Sequence, residues 1–134
     1  MVFGTFDVLH PGHLSFLRQA KNLGDILIVS VARDANVKKI KGVSPWLRED
    51  DRRALVASLT MVNKAVLGDR TGYLAHVQRE RPDIIALGHD QKAYVAQLRG
   101  DIAAGKLNAK IVRLKPYRSR HYKSAIIKKL ISGH

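Results

Sequence analysis

Short β-branched runs that alternate with helix-type segments constrain the fold of this chain most strongly. Residues 26–31 and 83–88 are almost wholly apolar, as is typical of parallel strands that are covered on both faces. Residues 1–4, 64–68 and 109–114 form three further short runs. Segments with apolar residues at helical spacing separate them. The alternation predicts an α/β fold, in which residues 1–134 form a single doubly wound domain with right-handed crossovers.

The order of the strands predicts where a ligand binds. We expect one five-stranded parallel sheet with the Rossmann-like order 3-2-1-4-5. In such a sheet the winding reverses between strands one and four, and ligands bind where those two strands end. Strand one ends at Gly4-Thr5-Phe6 and strand four at Gly88-His89-Asp90. Both ends are polar and rich in glycine, so pattern and topology indicate the same place.

The helices are predicted from the spacing of their apolar residues. Residues 11–23 form the first helix, which Gly24 closes, and residues 48–59 begin with three acidic residues, as the helix dipole favours. Residues 32–46 have little hydrophobic period and are predicted to be a basic loop, which is functional or solvated. A final helix is expected over residues 122–131. The inward positions are predicted to include Leu17, Ala20, Leu55 and Leu130.

Composition limits the compartment and the chemistry. The chain has no cysteine, which excludes disulfides and thiol nucleophiles and suits a reducing cytoplasm. No apolar run approaches the about 18 residues of a membrane span, and the start does not read as a signal peptide. We therefore expect a cytoplasmic protein that does not enter a membrane. Because the chain begins almost inside its first strand, we expect a few natural residues before Met1.

The net charge of +13 requires an explanation. A basic protein of this size often binds nucleic acid, and a polyanionic small substrate would account for the charge equally well. The eight aromatic residues do not alternate with basic residues along a strand, as a base-stacking surface requires. We therefore expect no nucleic-acid partner. A non-catalytic nucleic-acid-binding module is kept as the alternative from a different class.

Residues 1–13 are predicted to form a strand, then a polar turn and then the start of a helix. The first N–H groups of a helix lack partners within the helix, and the dipole adds positive charge there, so such a start favours anions such as phosphate. Pro11 suits the first turn, and Gly12 allows a close approach to the main chain. His10 and His13 can add N–H donors from their side chains. The segment therefore predicts a phosphate site.

The run Gly4-Thr5-Phe6-Asp7-x-x-His10-x-Gly12-His13 resembles the signature of the nucleotidyltransferase superfamily that carries the His-x-Gly-His motif. This superfamily includes cytidylyltransferases and adenylyltransferases. The resemblance extends along the chain and is strongest to the small archaeal FAD synthetases, followed by the bacterial glycerol-3-phosphate cytidylyltransferases. It departs at Lys123-Ser124-Ala125, where these families usually carry consecutive hydroxyl residues, so one donor is absent.

The resemblance implies an activity. It implies transfer of AMP from ATP to FMN, which gives FAD and pyrophosphate by in-line attack of the acceptor phosphate on the α-phosphate. A CTP-dependent cytidylyltransferase that acts on glycerol 3-phosphate or another phosphomonoester is the alternative. A divalent metal, magnesium, would accompany the triphosphate, bound mostly by phosphate oxygens and water and not by a protein site. Superfamily members are often dimers, which makes a homodimer a further expectation.

The resemblance also implies roles for individual residues. His10 and His13 are the expected catalytic residues and bind the phosphates of the nucleotide. Asp90 and the main chain near Tyr117 would hold its base or ribose, and Ser124 begins the last helix, where a hydroxyl can bind an anion. The full nucleotide-binding set is Thr5, Phe6, His10, Pro11, Gly12, His13, Asp90, Tyr117 and Ser124. The residues expected to face the acceptor or a phosphate are Lys41, Arg52, Arg113 and Arg118.

Overall fold

Strands and helices alternate along the chain as its apolar pattern predicts. The computed structural model describes residues 1–117 and 124–132, with the side chains of residues 124–127 left aside. The strands are β1 Val2–Gly4, β2 Ile28–Val31, β3 Lys64–Leu67, β4 Ile84–Leu87 and β5 Lys110–Arg113. The helices are α1 Pro11–Lys21, α2 Asp34–Lys41, α3 Glu49–Ala57, α4 Leu74–Glu80, α5 Val95–Ala103 and α6 Ser124–Ser132.

All strand pairs are parallel, and they form two sheets. One sheet has the order β1-β2-β3, in which Val29 of β2 lies opposite Val2 and Ala65. The second sheet pairs β4 with β5, and Ile85 lies opposite Ile111. The parallel α/β class is therefore confirmed, and within each sheet the neighbours are those of the expected order.

The prediction of a single five-stranded sheet is wrong. The amino group of Met1 donates to the carbonyl oxygen of Ile84 at 2.8 Å, and the N–H of Ala86 donates to the carbonyl of Met1 at 3.0 Å. These two bonds place Met1 opposite Ile85, but within residues 1–117 no further main-chain hydrogen bond joins β1 to β4. A ladder needs such bonds from successive residues. We call this one-pair junction the seam.

The sheets are covered on both faces, because neighbouring side chains of a strand point to opposite sides. Val29 and Val31 are fully buried and pack in one hydrophobic cluster with Leu17 of α1 and Val56 of α3. A second hydrophobic cluster on the opposite face of the sheets contains Val77 of α4 and Leu98 of α5. Phe3 of β1 packs against this cluster. Its other buried members are Ile85, Leu87 and Leu107. This two-sided burial explains why the strand sequences are so apolar.

The predicted loop over residues 32–46 contains a helix, α2, so that prediction is wrong. Val37 is its one buried residue, whereas Ile40 is largely exposed. Because Val37 is the one buried residue of α2, the sequence of this helix shows almost no hydrophobic periodicity. The signals that were present are the acidic Asp34 in the first turn and Gly42 after the last one, at φ 81° in the left-handed region.

Three details of the helices also differ from expectation. Helix α1 ends at Lys21 with Asn22 as its C-cap, so Gly24 does not close it. Leu55 is 45% exposed and Leu130 63% exposed, although both were predicted to face inward. In α3 the buried positions are Arg52 and Val56, four residues apart on one face, so this helix buries an arginine and leaves Leu55 exposed.

Gly4 provides a test of the packing around the end of β1. A Cβ atom at Gly4 would lie 2.6 Å from Cε2 of Phe6, whose ring is buried. We expect Gly4→Ala to lower the free energy of unfolding by about 1–3 kcal/mol, as overpacking does, measured by urea denaturation. Gly24→Ala is the control, because a Cβ there meets nothing within 4 Å. Equal stability of the two variants would contradict the prediction.

Candidate active site

A cleft of about 770 Å³ opens where the strands of both sheets end. Gly4, Ala32, Gly68 and Gly88, which end or directly follow four different strands, all line it. The cleft thus spans the seam at the carboxyl edge of the strands, where ligands bind in open α/β sheets. Its volume falls in the upper part of the range of about 300–1,000 Å³ that is usual for ligand pockets.

The cleft brings together most of the residues that the sequence singled out. The predicted residues that line it are Thr5, Phe6, His10, Gly12, His13, Lys41, Asp90 and Tyr117. Pro11 lines a smaller adjoining groove of about 230 Å³ together with Tyr117. Arg52 and Arg113 do not line the cleft. Arg118 lies outside the described residues, and Ser124 begins α6 with its side chain left aside.

Aromatic packing fixes the loop between β1 and α1. Phe6 has a φ of 53°, which is uncommon for a non-glycine residue, and its buried ring lies 5.4 Å from the ring of His13. The ring of Phe16 lies 6.4 Å away on α1. The rings of His10 and His13 are stacked, with their centroids 3.8 Å apart. The loop therefore holds both histidines against a hydrophobic support.

His10 caps the helix that follows it. The N–H of Gly12 donates to Nδ1 of His10 at 3.1 Å, so this nitrogen carries no proton and a neutral ring carries its proton on Nε2. The N–H groups of His13 and Leu14 both donate to the carbonyl of His10, and Pro11 has none to offer. The expectation of unpaired main-chain donors at the start of α1 is therefore wrong. The positive end of the dipole of α1 still favours an anion there.

Both histidines are neutral at pH 7. Burial lowers the pKa of His13 to about 4, with the neighbouring charges of His10 and Lys41 acting in the same direction and the main chain of Val8 opposing them. Burial also lowers the pKa of His10. The rings therefore act as hydrogen-bonding groups, and lysines carry positive charge into the cleft. One of these, Lys41, donates from Nζ to Oγ1 of Thr5 at 3.3 Å.

Asp7 anchors the segment between α2 and α3. Its buried carboxylate accepts hydrogen bonds from the main-chain N–H groups of Trp46 and Leu47, each at 2.8 Å. It also pairs with the ammonium group of Lys128 on α6, which lies 5.0 Å from the centre of the Trp46 ring. An acidic residue that is isolated in sequence therefore joins three segments around the cleft.

Arg52 is fully buried, and its guanidinium group bonds to three protein groups. Its Nη1 donates to the carbonyl of Thr5 at 2.8 Å, and its Nε donates to the carbonyl of Leu47 at 3.0 Å. Its Nη2 pairs with Oδ1 of Asp34 at 2.6 Å. The structure thus places this guanidinium behind the β1–α1 loop and not toward an acceptor phosphate. It holds the main chain of Thr5, which lines the cleft.

Two acidic residues cap each other's helix. Glu49 Oε1 accepts from the N–H of Asp34 at 3.0 Å, and Asp34 Oδ2 accepts from the N–H of Glu49 at 3.3 Å. Each residue is the first of its own helix, so each satisfies an orphan donor of the other. Arg33 links the pair to β3 by donating to Glu49 Oε2 and to the carbonyl of Gly68. Sequence reasoning missed this network, because the two acids are fifteen positions apart.

Arg113 supports the loop after β4. It donates from Nη1 to the carbonyl of Gly88 at 2.9 Å and to the carbonyl of Gln91. The side chain of Gln91 accepts from the N–H of Gly88 at 3.2 Å. These bonds close the turn that carries Asp90 at the edge of the cleft. The guanidinium of Arg113 thus faces main-chain oxygens and not the cleft.

Sequence reasoning also missed a buried polar pair. Oγ of Ser30 lies 2.8 Å from Nε2 of His76, and both side chains are buried yet line the cleft. Nδ1 of His76 lies 4.0 Å from Oδ1 of Asp69, which in turn pairs with Arg79 at 2.5 Å. Burial lowers the pKa of His76. The available signal was Ser30 itself, a polar residue between two valines in a strand expected to be buried on both faces.

The acidic and histidine side chains that the structure describes do not form a metal cage. Within residues 1–117 and 124–132 no three His, Cys, Asp or Glu side chains lie close enough together to hold a metal ion. The carboxylates of Asp7 and Asp69, which line the cleft, are engaged by Lys128 and Arg79. Over the same part of the chain, no helix is long and apolar enough to cross a membrane.

The cleft at the strand ends, with two neutral histidines at a helix start and lysines around them, suits an anionic ligand such as a phosphate. Residues 1–130 match the family described as Cytidylyltransferase-like, and the chain belongs to this family. It is a nucleotidyltransferase, as the resemblance of residues 4–13 predicted.

Three archaeal FAD synthases are similar to this chain over most of its length. The chain is 46% identical over 117 residues to the FAD synthase of Aciduliprofundum boonei, covering 87% of this chain and 78% of the relative. It is 45% identical to the FAD synthase of Archaeoglobus fulgidus, with 86% and 82% covered. It is 43% identical to that of Archaeoglobus profundus, with 96% and 83% covered.

A solved structure is similar along most of the chain. It is the lipopolysaccharide core biosynthesis protein from Thermoplasma volcanium GSS1, with a TM-score of 0.81 and 41% identity. The match covers 87% of this chain and 95% of that protein. The likeness confirms the α/β architecture.

Arg52 provides a test of how the loop is held. Arg52→Lys keeps a positive charge, but the ammonium group cannot reach all three partners of the guanidinium. Each buried acceptor that loses its donor lowers the free energy of unfolding by about 1–3 kcal/mol. We expect a lower midpoint in urea denaturation than for Arg53→Lys, the same change at the next and only partly buried position. A weaker affinity for the nucleotide should accompany the loss, because Thr5 is held less firmly. Equal midpoints for the two variants would show that the network is not needed.

Proposed function

We propose that this enzyme transfers AMP from ATP to FMN and releases pyrophosphate. The observation that carries the proposal is the 43–46% identity to three archaeal FAD synthases over most of the chain. FAD is FMN joined through its phosphate to AMP, so an FAD synthase needs a site for a triphosphate beside a site for a large phosphomonoester. A cleft that spans both sheets offers this room.

The nucleotide lies, in this proposal, against the β1–α1 loop. Nε2–H of His10 and the ring of His13 bind its phosphates, and the positive end of α1 adds to their effect. The main chain of Thr5 and Phe6, with Pro11 and Gly12, forms the surface behind the phosphates. Asp90 and the main chain near Tyr117 hold the ribose or base, and Ser124 contributes at the start of α6.

The acceptor phosphate lies, in this proposal, on the side of Lys41. The ammonium group of Lys41 reaches Thr5 from α2, so it lies beside the loop that holds the nucleotide phosphates. We infer that Arg52 and Arg113 act indirectly, because their guanidinium groups bond to the main chain of loops that line the cleft. We also propose, from the sequence alone, that Arg118 faces the acceptor or a phosphate.

The chemistry requires alignment and charge stabilisation. An oxygen of the FMN phosphate forms a bond to the α-phosphorus of ATP, and the bond from that phosphorus to the bridging oxygen breaks as pyrophosphate leaves. The attacking oxygen is already ionised, so no general base is required. Neutral histidines suit this step, since they donate hydrogen bonds to the charge that develops on the phosphate without taking a proton.

We propose that magnesium accompanies ATP. Nucleotidyltransferases of this kind use a divalent metal with the nucleotide, which neutralises charge on the phosphates. The described part of the chain offers no cage of ligands, so the phosphate oxygens and water would hold the ion. A homodimer, and the absence of a nucleic-acid partner, remain proposals from the sequence.

The alternative is a cytidylyltransferase that acts on glycerol 3-phosphate or another phosphomonoester. The family match favours neither base, because the shared motifs are expected to read phosphates and ribose more than the base. The experiment is pyrophosphate release measured over a grid of ATP and CTP against FMN and glycerol 3-phosphate. Release only with ATP and FMN is the expected result. Release only with CTP would overturn the proposal, and no release with salt-sensitive nucleic-acid binding would favour a binding module.

Two substitutions of His10 distinguish an effect on catalysis from an effect on the stability of the fold. Asparagine is a good N-cap, so His10→Asn retains a cap for α1 but removes the Nε2–H donor. We expect the melting temperature to stay close to that of the parent and kcat to fall by about 10²- to 10³-fold, as for other preorganised donors. His10→Ala should lose both rate and stability. A His10→Asn enzyme with unchanged kcat would remove this residue from the mechanism.

A further inference from the structure

One part of the cleft contains none of the residues assigned above to ATP or to the acceptor phosphate. Its walls are Phe3, Ser30, Tyr73, His76, Tyr94 and Leu98, which we call the side chamber. Phe3 and Ser30 lie opposite each other in the pairing of β1 with β2, so their side chains point to the same face of the sheet. His76 belongs to α4, Tyr73 precedes that helix, and Leu98 belongs to α5. The chamber therefore lies between the sheet and these two helices.

The walls of the side chamber are mostly flat and apolar. Phe3 and Tyr73 pack against the hydrophobic cluster that contains Leu98. The ring of Tyr94 lies 5.8 Å from that of Tyr73, tilted by 52°, and half of Tyr94 is exposed. Tyr94 takes a φ of 63° directly before α5. Aromatic walls of this kind favour a ligand with a planar ring.

Ser30 and His76 supply a directed polar group to this apolar chamber. The carboxylate of Asp69, 4.0 Å from Nδ1 of His76, favours the tautomer of His76 that carries its proton on Nδ1. In that tautomer Nε2 accepts a hydrogen bond from the hydroxyl group of Ser30, 2.8 Å away. The oxygen of Ser30 then has lone pairs left to accept a further hydrogen bond. The chamber thus combines a planar apolar space with one buried acceptor.

We propose that the side chamber binds the isoalloxazine ring of FMN and that Oγ of Ser30 accepts a hydrogen bond from N3–H of that ring. His76 is a positioning residue, since it holds the hydroxyl of Ser30 in the orientation that leaves its oxygen free to accept. The inference rests on the proposed function and adds the residues that recognise the ring. The isoalloxazine ring has two broad apolar faces and a polar edge with one N–H donor, which matches these walls. Glycerol 3-phosphate has no ring to fill them.

The first experiment compares FMN with 3-methyl-FMN, which lacks the N3–H donor. Binding is measured without ATP, from the change in flavin fluorescence on titration with the protein. We expect the parent enzyme to bind 3-methyl-FMN about tenfold more weakly, the effect of one hydrogen bond. Ser30→Ala should bind both flavins equally weakly. An unaltered preference in a Ser30→Ala protein with a folded circular dichroism spectrum would overturn the proposal.

His76 is tested by a conservative pair of variants. His76→Gln can place an amide oxygen near the position of Nε2, whereas His76→Leu fills the space without an acceptor. We expect His76→Gln to retain most of the preference for FMN over 3-methyl-FMN and His76→Leu to lose it. Equal preferences in the two variants would show that His76 does not orient Ser30.

Tyr94 provides a test that does not disturb the buried pair. Tyr94→Asn removes the ring, and asparagine tolerates a positive φ. We expect at least tenfold weaker FMN binding with unchanged affinity for ATP, measured by calorimetry. Lys92→Asn, in the same connection but outside the cleft, is the control. A loss of ATP binding with FMN binding intact would assign the chamber to adenine and overturn the proposal.

The outcomes separate this inference from the proposed function. If the parent enzyme forms no FAD from ATP and FMN, the proposed function fails whatever the variants do. If it forms FAD and the variants at Ser30 and Tyr94 keep the affinity and preference of the parent for FMN, only the assignment of the side chamber fails.

Discussion

The buried guanidinium of Arg52 is the interaction on which the site depends. A charge without water is costly unless its partners are complete, and here three groups from three separate segments surround it. One is the carbonyl of Thr5, so the loop that carries the motif is fixed from behind. Another is the carboxylate of Asp34, which is also held by the N–H of Glu49. A single cation thus sets the position of the loop relative to two helix starts.

The electrostatics of the cleft follow from how its groups are buried. Burial lowers the pKa of both His10 and His13 and keeps the rings uncharged near neutral pH. In the neutral ring of His10, the hydrogen bond from the N–H of Gly12 to Nδ1 leaves the proton on Nε2. Positive charge comes from lysines that line the cleft, such as Lys41. Neutral hydrogen-bonding rings at the start of α1, together with lysine ammonium groups beside them, suit a polyanionic ligand.

The sequence predicts what depends on local pattern and misses what depends on contact. Apolar runs and helix-type spacing were enough for the parallel α/β class, and the spacing of residues 4–13 was enough for the family. Helix α2 was missed because one buried valine supports it. The sequence assigns Arg52 to a phosphate, because no sequence pattern shows that an arginine is buried. The sequence also does not predict the seam, because the apolar pattern of β1 and β4 does not show how many main-chain hydrogen bonds join them. Ser30 and His76 lie forty-six positions apart, beyond the reach of any local rule.

The seam has a mechanical consequence. Two sheets that share one residue pair are coupled far more weakly than neighbours in a continuous ladder, where every second residue contributes. Residues that line the cleft come from both sheets, and its two walls are joined by the two main-chain hydrogen bonds of the seam and by side chains of both hydrophobic clusters. Between β2 and β3, by contrast, a ladder of four residue pairs joins the strands. The cleft therefore lies over a junction that depends on side-chain packing more than on main-chain hydrogen bonds.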